Sequence, residues 1–512
     1  MCNFAAKITK KTMFLKRILQ ILLLCGLAVS ALAQSPKHEV RAVWLTTIGG
    51  IDWPQTYATS PASAARQRQE LCHTLDQLRQ ANINVVLIQA RVRATTIYPS
   101  ALEPWDACLA GKSGQSPGYD PLQYAIDECH KRGMQCHAWM VTIPVGKWND
   151  TGCRQLRKAH PGLIVKIGDE GYMNPEKAET GDYLARLCAD VARRYDVDGI
   201  HLDYIRYPET WKLKVSRQQG RQHITGIVSK ISRAVKAQKP WVMMSCSPIG
   251  KYDDLARFNS MGWNANSAVC QDAQGWLRDG LMDALFPMMY FQGNHFYPFL
   301  VNWQEHAYGK IVVPGLAAYM LHPRERNWPL SVIAREMEVA RREGMGHTFF
   351  RSKFLTDNVK GIYTFTRQFD RLPALLPPMR WLRTTPPQAP RQLTLQRGQT
   401  ADLLTWAPEG DDRQSNDRQN DTSQGDYLLY NIYASPTSPV DTSDPTNLIA
   451  ARQREPRLVV PHNGQPLNYA VTAADRYGLE SQPARTAATA HKAGKKMDIR
   501  QLIVGKKHKR DK

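Results

Sequence analysis

The sequence predicts an α/β chain: a (β/α)8 barrel of the TIM-barrel type, followed by a small all-β module. Three observations carry this. Eight short apolar runs rich in β-branched residues recur through residues 38–375, amphipathic segments of helical period separate most of them, and beyond a proline-rich stretch short strands follow one another without helices. A chain of 512 residues exceeds one ordinary core, so two folded domains are expected, and 43% hydrophobic residues is the composition of a globular protein.

In chain order, residues 1–33 form a cleavable leader. Lys7, Lys10, Lys11, Lys16 and Arg17 precede the apolar run Ile18–Val29, and Ala31-Leu32-Ala33 places small residues before a cut ahead of Gln34. The run is short for a membrane span. A lipoprotein reading through Cys25 is disfavoured by Leu22-Leu23-Leu24 before it. The chain is therefore expected to be exported, to a periplasm or cell envelope. Removing five basic and no acidic residues lowers the formal charge from +21 to +16, and the tail Lys492–Lys512 holds nine Lys or Arg against two Asp. That tail reads as a solvated end at 491–512, with electrostatic contact to an anionic envelope as its functional reading; nucleic acid does not suit an exported chain. Eight cysteines remain, with no CxxC spacing, and Cys136 and Cys246 read as buried free thiols.

The expected barrel strands are Arg41–Thr47, Val85–Arg91, Gln135–Val141, Gly199–Ile205, Trp241–Pro248, Ala284–Tyr290, Ile311–Tyr319 and Gly346–Arg351. Between them, Leu71, Leu75 and Leu78 share a helical face, as do Leu184, Leu187, Val191 and Tyr195. Asp120 before Pro121 is an N-cap, with Gly133 as the stop. No glycine-rich phosphate loop follows the first strand, which weakens an open nucleotide-binding sheet as the alternative. The prolines of 376–390 mark a stiff linker. From 391 to 490, "LLTWAP", "YLLYNIYASP", "RLVVP" and "LNYAVTAADRYGLES" are strands, with the polar insert "EGDDRQSNDRQNDTSQG" as an exposed loop. This pattern resembles a fibronectin type III sandwich with Trp406, Tyr433 and Tyr469 in its core.

The chemistry concentrates in "DVDGIHLDYIRYP", Asp196–Pro208. Strand alternation sends Ile200 and Leu202 toward the helices and His201 and Asp203 into the barrel, with Asp203 nearer the carboxyl end, where barrel active sites lie. A buried carboxylate needs solvent or a cation such as Arg206.

"DGIHLDYIRYP" is similar to the fourth-strand signature of a glycosyl-hydrolase-like family related to family ten, whose members are TIM-barrel, glycosidase-like proteins. The resemblance extends through "EVRAVWLTTIGGIDWP", "LIQARVRATTIYPSALEPW", "GMQCHAWMVTIP", "YMNPEKAE", "CQDAQGWLRDGLMDALFPMMYF" and "GHTFFRSKFL". It implies hydrolysis of a bacterial polysaccharide, with peptidoglycan glycan stripped of its peptides as the guess at substrate, and it implies no cofactor and no metal. The third strand departs from the family's common form, since an Asn-Pro-Tyr-Arg-like run is replaced by "MVTIPVG". The stretch also distantly resembles the chitinase-like strand motif, but Ile205 stands where that motif has its glutamate.

Glycosidic hydrolysis normally uses two carboxyl groups. Asp203 is the first candidate, as nucleophile, base or stabiliser of the oxocarbenium charge. Asp272 and Glu103 are its candidate partners, with Asp106 behind them; Asp272 also reads as an N-cap and Glu103 as a surface loop carboxylate. Sugar contacts are expected from Arg91, Tyr98, Trp105, His137, Trp139, Asn174, His201, Arg206, Trp276 and Tyr290. Two rival readings stay open: a non-catalytic glycan-binding protein, and a metal-dependent carbohydrate hydrolase or deacetylase using His201, Asp203 and His137.

Overall fold

The computed structural model describes residues 35–256, 258, 260, 262–407 and 427–486. The leader with Cys25, the polar insert and the basic tail lie outside them.

Eight parallel strands close on themselves. They are β1 (Arg41–Leu45), β2 (Val85–Arg91), β3 (Gln135–Val141), β4 (Gly199–Asp203), β5 (Met243–Cys246), β6 (Ala284–Leu285), β7 and β8 (His347–Phe349). β7 is a stretch in two parts: Ile311–Val312 pairs with β6, and Gly315–Leu316 pairs with β8. With β8 beside β1, the ring is complete. Several strands are shorter than their apolar runs, for local reasons. Pro287 and Pro314 lack the amide that a ladder needs. β4 stops at Asp203 because Tyr204 turns into the left-handed region, at φ 53°.

Alternation along the strands separates two cores. Ala42, Trp44, Val85, Leu87, Trp139, Met243, Phe286 and Val313 fill the barrel. Val43, Val86, Ile88, Ile200 and Leu202 face outward, where Leu71, Leu75 and Leu78 of the helix Pro61–Gln80 meet them. Ser60 begins that helix with a reciprocal capping box. Asp120 caps the helix Pro121–Lys131 by accepting the Leu122 and Gln123 N–H groups, both at 3.1 Å. After β3 the chain makes an excursion that contains the helix Thr151–Ala159 and an antiparallel sheet of Pro144–Lys147, Glu170–Met173 and Ile164–Ile167. The eight cysteines from Cys72 to Cys270 are free, and Cys136 and Cys246 are fully buried.

The C-terminal module has two antiparallel sheets. One holds Arg391–Arg397, Ala401–Ala407 and Arg457–Pro461; the other holds Leu448–Gln453, Leu429–Ser435, Asn468–Ala474 and Ala484–Arg485. Trp406 and Tyr469 pack between the sheets. Tyr433 instead packs with Leu375, Val440 and Leu448, at the junction with the barrel.

That junction is extensive. Leu376 and Met379, from the proline-rich stretch, join the barrel's interior cluster and cover its amino-terminal end together with Tyr477. Asp198, just before β4, accepts from the Cys136 N–H (2.9 Å), His130 (2.8 Å) and Arg452 (2.8 Å), with Arg476 at 3.4 Å. Burial opposes its ionisation, but His130, Arg452 and Arg476 outweigh that and hold the carboxyl well below its usual range. Asp196 meets Arg476 at 2.7 Å and Arg454 at 2.6 Å. Removing one partner strands buried cations, so Asp198→Ala should cost about 3–5 kcal/mol. Scanning calorimetry should show a lowered main transition with a separate module transition ahead of it.

Candidate active site

The carboxyl end of the barrel is built around Asp203. Its Oδ1 accepts from Ser247 Oγ and from the Tyr204 N–H, both at 2.8 Å, and its Oδ2 accepts from Trp139 Nε1 at 3.1 Å. The left-handed turn at Tyr204 folds that N–H back onto the side chain before it. Thr142, after β3, clamps the Asp203 carbonyl with its N–H (2.9 Å) and hydroxyl (2.7 Å). All three donors to the carboxyl are neutral, and among the described residues Asp203 makes no ion pair. Burial raises its pKa, and the Ser247 bond, the Arg206 charge, the Tyr204 N–H and Trp139 offset only part of the rise.

Aromatic rings wall the site. Tyr290, beyond β6, lies 5.6 Å from Tyr319 and 5.5 Å from Phe350, which flank it from β7 and β8. Burial, Tyr319, Asp203 and Tyr204 push the Tyr290 hydroxyl well above its ordinary pKa, which places it in the same electrostatic neighbourhood. Tyr204 is 37% exposed, and the Arg206 guanidinium stacks over its ring at 4.7 Å. Arg206 donates to Glu209 at 2.6 Å. Tyr172, on the excursion, feels Glu170, Arg93, Glu209 and Arg206.

Below Asp203 the barrel is sealed. Trp44 Nε1 donates to His201 Nε2 at 3.2 Å, and because indole only donates, the imidazole proton sits on Nδ1 and goes to Ser245 Oγ at 3.0 Å. Burial, then His137, lower the His201 pKa far below its usual value. His137 Nε2 donates to Gln135 Oε1 at 2.9 Å, and burial pushes its pKa down to about 4. Its ring rests against Gly199, where a Cβ would come within 2.6 Å of Nδ1. Both histidines are fully buried in the barrel interior, each with its own hydrogen-bond partner.

Several expected site residues lie elsewhere. Arg91 grips both Glu103 oxygens, at 3.0 and 2.8 Å through Nε and 2.6 Å through Nη2, and Tyr183 donates to the same carboxylate at 3.1 Å. This buried fork packs against the helix Ala178–Arg194. Tyr98 is buried in that layer against Tyr195. Asp272 caps the helix Ala273–Arg278, accepting from the Gly275 N–H (3.2 Å) and Tyr252 (2.6 Å), and it faces the helix Arg217–Gln238 outside the barrel. Trp276 is fully buried there, donating to Thr225 at 2.8 Å. Asp106 likewise caps a short helix through the Cys108 N–H at 2.8 Å. Trp105 packs half-buried on the helix-layer core, and Asn174 uses Oδ1 to turn the chain at Glu176. The expected residues gathered at the rim are Asp203, Trp139, Arg206 and Tyr290. Ser247, Tyr204, Tyr319, Phe350 and Glu209 join them without having been singled out; all but Glu209 stand within a few residues of a strand's carboxyl end.

The glycosyl hydrolase-like 10 family model matches residues 39–219 and 212–314, which span β1 to the first part of β7. The chain belongs to the glycosyl hydrolase-like 10 family. Among its relatives, glycosyl hydrolase YngK of Bacillus subtilis (strain 168) is 27% identical over 506 residues, covering 88% of this chain and 94% of that protein. Glycosyl hydrolase DigH of Escherichia coli (strain K12) is 31% identical over 297 residues, 51% of this chain and 67% of that one. Among solved structures, α-L-fucosidase isoenzyme 2 from Paenibacillus thiaminolyticus matches at TM-score 0.43 and 14% identity, over 64% of this chain and 49% of its own, about half its length. Within the family frame, "GIHLD" of β4 is the strand that brings Asp203 to the rim.

A carboxyl whose pKa is raised on folding stabilises the fold fully below its unfolded pKa, and that contribution is lost as pH rises through the folded pKa. Asp203→Asn should therefore match the parent at acid pH and exceed it at pH 8, by a Tm difference of about 2 °C. Thermal melts of both proteins across pH 4–8 measure the divergence.

Proposed function

We propose that this chain is an exported glycoside hydrolase acting on a bacterial cell-envelope polysaccharide, with peptide-free peptidoglycan glycan as the substrate class. The observation that carries the reading is Asp203: a carboxyl on the barrel rim, fixed by three neutral donors, with its pKa raised by burial. Such a group suits proton donation to a glycosidic oxygen, because a general acid works best when its pKa is raised toward the working pH. Tyr290, Tyr319 and Phe350 offer the faces on which sugar rings stack. Family membership and the names of YngK and DigH support the same class of chemistry.

Asp272 and Glu103 are withdrawn as the second carboxylate, since Asp272 caps a helix outside the barrel and Glu103 is held in the fork of Arg91 and Tyr183. The carboxylates near Asp203's neighbours are Glu209, on Arg206, and Glu170, with Arg93 at 3.7 Å. The leader read from the sequence supports export, and the basic tail supports contact with an anionic envelope.

The test is mass spectrometry of products after incubating the purified protein with peptide-free peptidoglycan glycan, beside Asp203→Asn. New reducing ends are expected from the parent, with turnover lowered about 10²–10⁴-fold in the variant. Equal turnover by both proteins would remove Asp203 from the reaction. Binding of glycan without products would leave a glycan-binding barrel in place of a hydrolase.

A further inference from the structure

Arg206 stands three residues beyond Asp203 and is 2% exposed, yet its guanidinium is directed elsewhere. One terminal nitrogen donates to Glu209 at 2.6 Å and the other to the Tyr207 carbonyl at 3.3 Å, while Nε is buried without a hydrogen-bond partner. The plane lies over Tyr204, between the two carboxylates in sequence and tied to the outer one. Glu209 is the more solvated member, with 31% of its side chain exposed.

We propose that Glu209 is a positioning residue that sets the proton affinity of Asp203 by holding Arg206 away from it. This rests on the reading of Asp203 as proton donor. The groups around Asp203 are Trp139 from β3, Ser247 just after β5, Tyr290 beyond β6, and Tyr204 and Arg206 from its own loop, with the Cys246 thiol on the outward side of β5. Of these, Arg206 alone carries a permanent charge. The groups facing Arg206 and its ring partner are Glu209, Tyr172, Arg93 and Glu170. A guanidinium in direct contact would favour the carboxylate and remove the proton that a general acid must give. Anchored on Glu209, the same guanidinium acts on Asp203 only through space, and burial prevails. Two arginine–carboxylate arrangements compete for one cation, and Glu209 decides between them.

The experiment combines two readouts on the full chain. The first is the pH dependence of kcat/KM on peptide-free glycan. The second is the carboxyl ¹³C titration of Asp203 in protein labelled at aspartate, assigned by its loss in Asp203→Asn. Glu209→Gln should move the basic limb of the profile and the Asp203 titration together to lower pH, by about one unit. Arg206→Met should move both to higher pH, and the double variant should follow Arg206→Met, because the effect of Glu209 runs through the cation. An Asp203 titration unchanged in Glu209→Gln, or a double variant that follows Glu209→Gln, overturns the proposal. A parent that hydrolyses no glycan while the titration still shifts as stated would overturn the hydrolase reading and uphold the control of Asp203 by Glu209.

Discussion

The cost of removing a carboxyl group from water governs both ends of β4, and the two ends meet it in opposite ways. At the amino end Asp198 is surrounded by His130, Arg452 and Arg476, and it stays ionised although buried. At the carboxyl end Asp203 receives only a hydroxyl, an indole and a backbone amide, and its affinity for a proton rises. One strand of five residues thus separates a carboxylate held ionised by cations from one whose proton affinity burial raises. The end held by cations is where the module is fixed; the other is where Tyr204, Tyr290, Tyr319 and Phe350 gather.

Between them the interior admits polar side chains without admitting charge. His201 and His137 lie on the inward face, and each is kept neutral by burial and by a defined hydrogen bond. Gly199 is the sequence's concession to this arrangement, since the imidazole of His137 occupies the space a side chain would need. The stack of Trp44, His201 and Phe286 then forms a floor beneath Asp203 that solvent does not cross.

The strand order and the inward course of His201 and Asp203 are legible in the sequence, because alternation along a buried strand depends on a period of two and on little else. Strand ends are less legible: Pro314 splits β7, and the turn at Tyr204 ends β4 one residue pair early. Side chains carried by loops are harder still. Whether Glu103 meets a substrate or Arg91 depends on the helix Ala178–Arg194, some eighty residues away along the chain. Asp272 carries a local signal, a carboxylate ahead of a short apolar helix, and the local signal is the correct one. Ser247 is legible in hindsight by parity with Ser245, two residues earlier on the inward side of β5.

The seam between barrel and module has a further meaning for how a polymer would be handled. A binding module on a loose tether raises the effective concentration of an enzyme near its substrate, because the tether samples many separations. Here Leu376 and Met379 are buried in the barrel's end, and Asp196 and Asp198 are bolted to three arginines. The separation between the module and the rim around Asp203 is therefore a fixed length rather than a distribution. Anything the module grasps would be presented to the rim at one spacing, so the pair would act as a ruler and not as a leash.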